Sequence, residues 1–513
     1  MVCTIRSGVT VKKVRSQHVV LTLAIGALYA ALRLGLADRS LDHDEMYNTS
    51  QFLTLLPHPR SSSLMTWRSD WRRQLGIHPP LLSLFYFGWV RIFGDSELSL
   101  RTPPLVAGLL TLSMTYSIGK HVFSGLAGVL AACGLAVAGS HIGYSLSAIH
   151  AIFDALFMLT ALCAFVRYAR SGSRSDLRWL LLADVLGFAH FYYFITVLVP
   201  QALYLFIRRR ALSVPSSYFF FVCALCSIFA IPVVAGYSST YEYGWWGRGS
   251  VANVEKLLEG LSLYQPDRPH AGLSRWLGYV LLILVLASIA RTTALTLRRA
   301  ANGLPMLLVG TFLLPLLLYL VGGWLDRPIG HPRTYFYLLP IYFLLIFALL
   351  EHLLKVAPRA LLFSVPLLIL LAISAESSLD GIYSTSPVLG VIRENRIEAR
   401  QGGHVLIHDT GNLEWPSRYY LAKLHPEYEA DFFKRRDDAL ALLEGGAVNG
   451  CQPVTVLTSD KSVAAEIEEA LSGKSLPLQA HETKIEIPDW FGYSSGWADA
   501  FQVTSRVGRC STP

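Results

Sequence analysis

Apolar residues come along this chain in repeated long runs, separated by short polar clusters. Runs of about 18 or more residues predict transmembrane helices, because a bilayer core of about 30 Å takes about 20 residues of helix to cross. The first run extends from about Val19 to Leu36. Later ones fall at roughly 104–122, 124–144, 148–168, 179–190, 192–207, 212–237, 273–292, 303–322, 334–353 and 359–376. The expectation is a polytopic α-helical membrane protein with about eleven transmembrane helices over residues 19–376. Two of these spans share one apolar stretch between Arg178 and Arg208, with the break placed near His190.

A long outer loop, residues 37–103, follows the first span. Within it His78 to Gly94, HPPLLSLFYFGWVRIFG, is apolar but short, begins at a double proline and carries Arg91 near its end. It predicts a juxtamembrane helix lying in the interface. From about Ser377 the pattern changes. GGHVLIHD and PVTVLTSD read as strands, and SVAAEIEEALSG as helix, so residues 377–513 predict a small extracytoplasmic α/β domain. It holds no GxGxxG and no Walker sequence, so no nucleotide is assigned.

Composition agrees: 53% of the 513 residues are hydrophobic and 16% charged, where a soluble chain has nearer a quarter charged. The net charge of +8 does not point to nucleic acid, because the basic residues sit in short clusters between spans, where topology is encoded. Membrane lipids with anionic head groups are the fitting partner. Residues 1–18 are basic, and no small-residue cleavage site follows cleanly, so they read as the cytoplasmic flank of a retained first span.

Lys120, Arg167, Arg170, Arg174, Arg178, Arg208 to Arg210, Arg298, Arg299, Lys355 and Arg359 then face the cytoplasm. The N-terminus is inside and the C-terminus outside a plasma (inner) membrane. Arg60, Arg68, Arg72, Arg73, Arg91 and Arg101 run against the rule in the first outer loop, where long loops obey it poorly and arginines can serve a phosphate. Cys133, Cys163, Cys223 and Cys226 fall in spans and read as small core residues, while Cys451 and Cys510 could bridge in an extracytoplasmic tail.

The candidate chemistry gathers on one face. LDHDEMYN, residues 41–48, sets Asp42, Asp44 and Glu45 around His43 just after the first span. His78 precedes the juxtamembrane helix. Tyr144 and Ser145 end the third span, His150 and Asp154 enter the fourth, and His190, Tyr192 and Tyr193 form the next outer turn. Asp326, Arg327, His331 and Arg333 lie between the ninth and tenth spans. The bland alternative is a set of solvated loop residues, and a helix-end histidine such as His190 is often merely hydrogen-bonded. Asp154 lies inside an apolar run, which favours a paired or functional role. The Tyr and Phe stripe at 335–343 reads as core and interface belt.

LDHDEMY followed by HPPLLSLFYFGWVRIFGDSELSLRTPPLVAGLLT strongly resembles the GT-C membrane glycosyltransferases. These include the dolichyl-phosphate-mannose protein mannosyltransferase-like bacterial enzymes and the aminoarabinose transferase of lipid A. The matching features are Asp44-Glu45, His78-Pro79-Pro80-Leu81, Phe93-Gly94-Asp95 with Glu97, and Arg101 followed by Pro103. SHIGYSLSAIHAIFDALF, with Asp154, and HPRTYFYLLP, with Arg333 and Tyr335, resemble later family segments. The chain departs from relatives at Leu146 and Ser147, after the Tyr-Ser pair, and at His150, where some carry Asn.

The resemblance implies a polyprenyl-phosphate-linked sugar donor and inverting transfer on the outer membrane face. The acceptor would be an envelope glycolipid, glycan or protein. An acceptor hydroxyl then attacks the anomeric carbon as the lipid phosphate leaves. Asp44 is the candidate base, accepting the proton late because an unperturbed Asp, at about 3.9, is weakly basic. Glu45 orients it or binds acceptor or metal. No cofactor is certain, and a divalent metal ion is left open.

Arg101, Arg333 and one of Arg68, Arg72 or Arg73 are candidates to stabilise the departing phosphate, a role that bidentate arginine suits. Asp42, His78, Tyr144, His150, Asp154, His190, Tyr192, Arg327 and His331 complete the candidate substrate-binding set. Two other classes stand beside this reading. A lipid-linked-sugar flippase would show internal repeats and mid-membrane polar groups, and no sequence repeat is seen. A non-catalytic envelope scaffold has no need of the Asp44-Glu45 pair.

Overall fold

The computed structural model describes residues 25–31, 33, 81–212, 214–235, 273–299, 303–324, 332–356 and 367, and in the C-terminal part 404–408, 429–433, 454–458, 464–467, 469, 478–487 and 496–505. The chain divides into two compact units. The first holds a helical stretch at 25–31 and eleven further helices among the described residues. They are α1 (Leu81–Phe93), α2 (Glu97–Val122), α3 (Gly125–Val137), α4 (Gly139–Ser145), α5 (Ala151–Ser171) and α6 (Arg174–His190). After a 3-10 turn at Tyr192–Phe194 come α7 (Ile195–Leu212), α8 (Ser216–Ala235), α9 (Leu273–Arg299) and α10 (Leu304–Trp324). A second 3-10 turn, Pro332–Leu338, leads into α11 (Leu339–Val356).

Among the described residues, 4 of these helices are long and apolar enough to cross a membrane, or 5 if the bent pair α3 and α4 is one span. The chain is an integral membrane protein. Its packing centre is α11, in which Leu339 to Glu351 are all buried, as expected of a helix that is apolar on every side. It packs on α3 and α9. Its one buried acid, Glu351, accepts from the Ser124 hydroxyl and lies 2.6 Å from Lys355 Nζ. The same Ser124 caps α3 by accepting from the Ala127 amide. Where α2 crosses α3, a Cβ on Gly119 would come within 2.4 Å of Gly128 Cα, so the two backbones touch through their glycines.

Several helices begin, break or end where the apolar runs did not place them. The span expected at 104–122 starts at Glu97, because Ser96 caps α2 by accepting from the Ser99 amide. Arg101, expected in the loop, is therefore inside the helix and fully buried. The span expected as one helix over 124–144 breaks at Ala138, whose extended backbone turns α4 by 66° from α3. The juxtamembrane helix and the break at His190 sit where the sequence pattern placed them, while α8 starts at Ser216 instead of 212 and α9 runs on to Arg299, past the expected end at 292. The span expected at 359–376 lies almost wholly outside the described residues.

Pro103 and Pro104 sit inside α2 and have no N–H for the carbonyls of Ser99 and Leu100. The juxtamembrane helix supplies both missing donors. Trp89 Nε1 donates to Ser99 O at 2.9 Å, and the Tyr86 hydroxyl donates to Leu100 O at 3.2 Å. Thus α1 docks on α2 at the carbonyls the double proline frees. Tyr86→Phe keeps the ring and strands the buried carbonyl. It is expected to cost about 1–3 kcal/mol, read as a lower thermal midpoint in detergent; an unchanged midpoint would refute this docking.

The second unit contains a five-stranded mixed sheet. Its strands are β1 (His404–His408), β2 (Glu429–Phe433), β3 (Val454–Thr458), β4 (Leu478–Ile487) and β5 (Gly496–Ser505), in the order β2-β1-β3-β5-β4. β1 pairs in parallel with β2 and β3, and β5 runs antiparallel to β3 and β4. Val405, Leu406, Ile407, Val456 and Leu457 are buried, as continuous apolar runs in inner parallel strands should be.

Candidate functional site

The helical hairpin of α5 and α6 turns at Gly172, whose φ of +62° suits glycine. Ser173 caps the returning helix. Asp154 in the first turn of α5 and His190 at the end of α6 stand almost equally far from this turn in sequence, so antiparallel packing brings them to the same level. His150, at the N-cap of α5, lies one turn before Asp154. Its Nδ1 donates to Asp154 Oδ2 at 2.8 Å. His190 Nε2 lies 2.9 Å from Asp154 Oδ1, off hydrogen-bond alignment. Asp154 and His190 side chains are 2% and 1% exposed, and His150 is 21% exposed.

A buried carboxylate among apolar helices is costly unless paired, and here two imidazoles and the N-terminus of α5 supply the pairing. The ring N–H groups facing an ionised Asp154 must be Nδ1–H on His150 and Nε2–H on His190. His190 Nδ1 is buried with no hydrogen-bond partner among the described residues. Phe157 and Phe153 cover the His190 ring, with centroids 4.8 and 6.1 Å away. Only His150 carries the cluster toward the surface.

A second polar network was missed by sequence reasoning. Arg33, at the end of the first apolar run, is fully buried. Its Nε donates to Ser145 Oγ at 2.7 Å, and its Nη2 to Ala136 O at 3.1 Å and His141 Nδ1 at 2.9 Å. Its guanidinium lies 3.9 Å over the Tyr29 ring. The Ala136 carbonyl is available because α3 ends just beyond it. Since a guanidinium only donates, His141 Nδ1 accepts. The proton is then on Nε2, which donates to Thr111 Oγ1 at 2.8 Å, and Thr111 donates onward to Gly108 O at 2.7 Å.

The clue in the sequence was a cation inside an apolar span. Arg33→Met leaves several buried acceptors without their donor, at about 1–3 kcal/mol for each. Strong destabilisation in detergent is expected, and Arg33→Lys should not rescue it, because an ammonium lacks the planar fork. Wild-type stability in either variant would overturn the role given to Arg33.

Residues 77–235, which hold α1 to α8 and both histidine partners of Asp154, match the family model described as dolichyl-phosphate-mannose-protein mannosyltransferase. In three dimensions the chain is similar to ArnT from Cupriavidus metallidurans in the apo state. The TM-score is 0.54 at 11% identity, covering 96% of this chain and 98% of that one. The chain has the GT-C fold.

The GT-C similarity extends to the archaeal oligosaccharyltransferase AglB from Archaeoglobus fulgidus, with TM-score 0.52, 14% identity and coverage of 97% of this chain and 75% of that one. It also reaches the arabinofuranosyltransferase AftD from Mycobacteria, with TM-score 0.51 and 14% identity; there 96% of this chain covers 40% of that one. No curated protein matches by sequence.

Within the GT-C frame, the structure gathers His150, Asp154 and His190, and brings the HPRTYFYLLP segment beside them. The 3-10 turn Pro332–Leu338 packs on α5. Its Phe336 lies 4.5 Å from the buried Tyr144 ring, its Tyr337 lies 5.1 Å from Phe191, and the Tyr337 hydroxyl is 2.7 Å from Thr196 Oγ1. By backbone, Arg333 belongs to this turn. Tyr192 opens the turn after His190, half-buried, its ring 6.0 Å from Phe188.

Asp42, Asp44, Glu45, His78, Arg68, Arg72, Arg73, Arg327 and His331 lie outside the described residues, as do Cys451 and Cys510. Among the described residues no group of three or more His, Cys, Asp or Glu could hold a metal ion. In the His150–Asp154–His190 cluster the nearest ring nitrogens face the carboxylate instead of converging on a common point.

Proposed function

We propose that this chain moves a sugar from a polyprenyl-phosphate donor to an acceptor hydroxyl at the outer face of the membrane. The observation that carries the reading is the buried His150–Asp154–His190 cluster at one end of α5 and α6 in a GT-C fold. Support comes from the solved neighbours. ArnT from Cupriavidus metallidurans has a structure bound to undecaprenyl phosphate, similar to this chain at TM-score 0.53 and 10% identity over 95% of this chain and 98% of that one. The AglB structure holds a dolichol-phosphate and an inhibitory peptide.

In this reading about eleven helices cross the bilayer, the N-terminus is cytoplasmic, and residues 377–513 form an extracytoplasmic α/β domain that meets the acceptor. Asp44 takes the proton of the attacking hydroxyl, and Glu45 orients it or holds a divalent ion. Arg101, Arg333 and one arginine of the first outer loop draw off charge as the phosphate leaves. His150, fixed in tautomer by Asp154 behind it, presents its ring to the same phosphate. The acceptor is an envelope glycolipid, glycan or protein. The deciding experiment incubates purified protein in nanodiscs with a panel of radiolabelled polyprenyl-phosphate sugars, and release of free polyprenyl phosphate is the expected result.

One observation favours a second reading. Asp184 is fully buried in α6, with the Tyr218 hydroxyl 3.4 Å from its Oδ2, roughly 9 Å deeper than His190 along the helix. A carboxylate at that depth is a feature of transporters. Movement of lipid-linked sugars across vesicles without turnover would select that reading.

A further inference from the structure

At the far ends of α2 and α5 from the Asp154 cluster, a cavity of about 430 Å³ opens between these helices and the start of α6. Helical rise sets Arg167 and Arg170 roughly 20–24 Å along α5 from Asp154, so the cavity and the candidate site lie at opposite ends of α5. The cavity has an apolar floor of Ile118, Val166 and Cys163, of which Ile118 and Val166 are buried. Its rim carries exposed Arg167 and Arg170, together with His121 and Asp176. The volume lies within the roughly 300–1,000 Å³ of small-molecule sites.

The rim is arranged around its cations. Arg170 Nη2 donates to the His121 carbonyl at 2.5 Å, in the last turn of α2, where carbonyls lack helical partners. His121 Nδ1 donates to Ser117 O at 2.7 Å, which leaves its Nε2 as the second ring nitrogen. Arg167, 71% exposed, pairs with Asp176 at 3.1 Å. The Ser171 and Ser173 hydroxyls donate to Asp176 at 2.6 and 2.9 Å. These two bonds, with Arg167 adding to them, hold the Asp176 carboxyl below the usual carboxylate range. It therefore stays ionised and offsets part of the Arg167 charge. Each guanidinium has five N–H donors, so one bond apiece does not exhaust either.

We propose that this cavity binds the phosphate headgroup of an anionic membrane lipid. Arg167 and Arg170 grip the phosphate, and Ile118 and Val166 meet the glycerol and first methylenes. A cationic rim above an apolar floor between membrane helices fits a molecule that is anionic at one end and apolar at the other, which free phosphate is not. Arginine suits the phosphate by its fork geometry. Asp176 competes for Arg167 and sets the affinity. The inference rests on the membrane-spanning placement of α2 and α5 and is independent of the transfer reaction.

The test uses the full chain in detergent, with binding of phosphatidylglycerol and phosphatidylcholine followed by native mass spectrometry, and inorganic phosphate as competitor. Phosphatidylglycerol is expected to bind in preference to phosphatidylcholine. Arg167→Gln with Arg170→Gln should weaken it about tenfold or more, through loss of charge-assisted bonds. Asp176→Asn should bind it more tightly, a gain that a merely structural role for these residues would not produce. Equal binding of the two lipids, weaker binding in Asp176→Asn, or displacement of the lipid by inorganic phosphate at equal concentration would each overturn the proposal.

Discussion

Asp44→Asn is expected to leave the protein folded and to lower sugar transfer by roughly 10²–10⁴-fold, the usual contribution of a positioned general base. The amide keeps the size of the carboxylate but cannot take a proton, so the attacking hydroxyl would have to lose its proton to water. The loss should fall on turnover at saturating donor, because in the proposed mechanism the lipid phosphate is assigned to cations elsewhere. Release of polyprenyl phosphate from a labelled donor is the readout, with size-exclusion behaviour as the check on folding. Full transfer by a well-folded Asp44→Asn protein would remove Asp44 from the role of base. An unfolded variant would be replaced by Asp44→Glu, which keeps a base but shifts its reach and should retain partial turnover.

Asp154→Asn carries the second large effect. Its two oxygens face ring N–H groups of His150 and His190, and an asparagine must turn an NH₂ toward one of them. Both histidines also lose the charge that pairs them. A buried ring N–H left without its acceptor costs about 1–3 kcal/mol, which should appear as a fall in thermal midpoint and as lost transfer. His150→Gln separates the two effects. His150 is the partly exposed member, so it should lose transfer with little loss of stability if the cluster works on the substrate. Transfer at the wild-type level in His150→Gln, beside an unstable Asp154→Asn, would make the cluster a helix clamp.

The parts of this fold that were legible in the sequence are those set by local free energy. A run of apolar residues such as Leu304–Val321 leaves water for the membrane whatever its neighbours are. The short apolar run behind the double proline let the juxtamembrane helix be placed at about 78–94, and α1 occupies Leu81–Phe93. Asp154 could be singled out because a carboxylate in an apolar run needs a partner. Helix ends were less legible. The Ser96 cap extends α2 beyond its apolar run, and the Ala138 break in α3–α4 lies within an unbroken apolar stretch.

The sequence by itself determined that the chain enters the membrane, roughly where most of its helices lie, and which polar residues demanded an explanation. The tertiary structure alone decided what answers that demand. Asp154 finds His190 only because the Gly172 hairpin folds α6 back along α5. Arg33 finds Ser145 across 112 residues only because α3 breaks where a guanidinium can reach its end. Burial free energy is a property of a segment and can be read along the chain. A hydrogen bond between buried groups depends on the position and angle of two distant atoms, and only packing sets those.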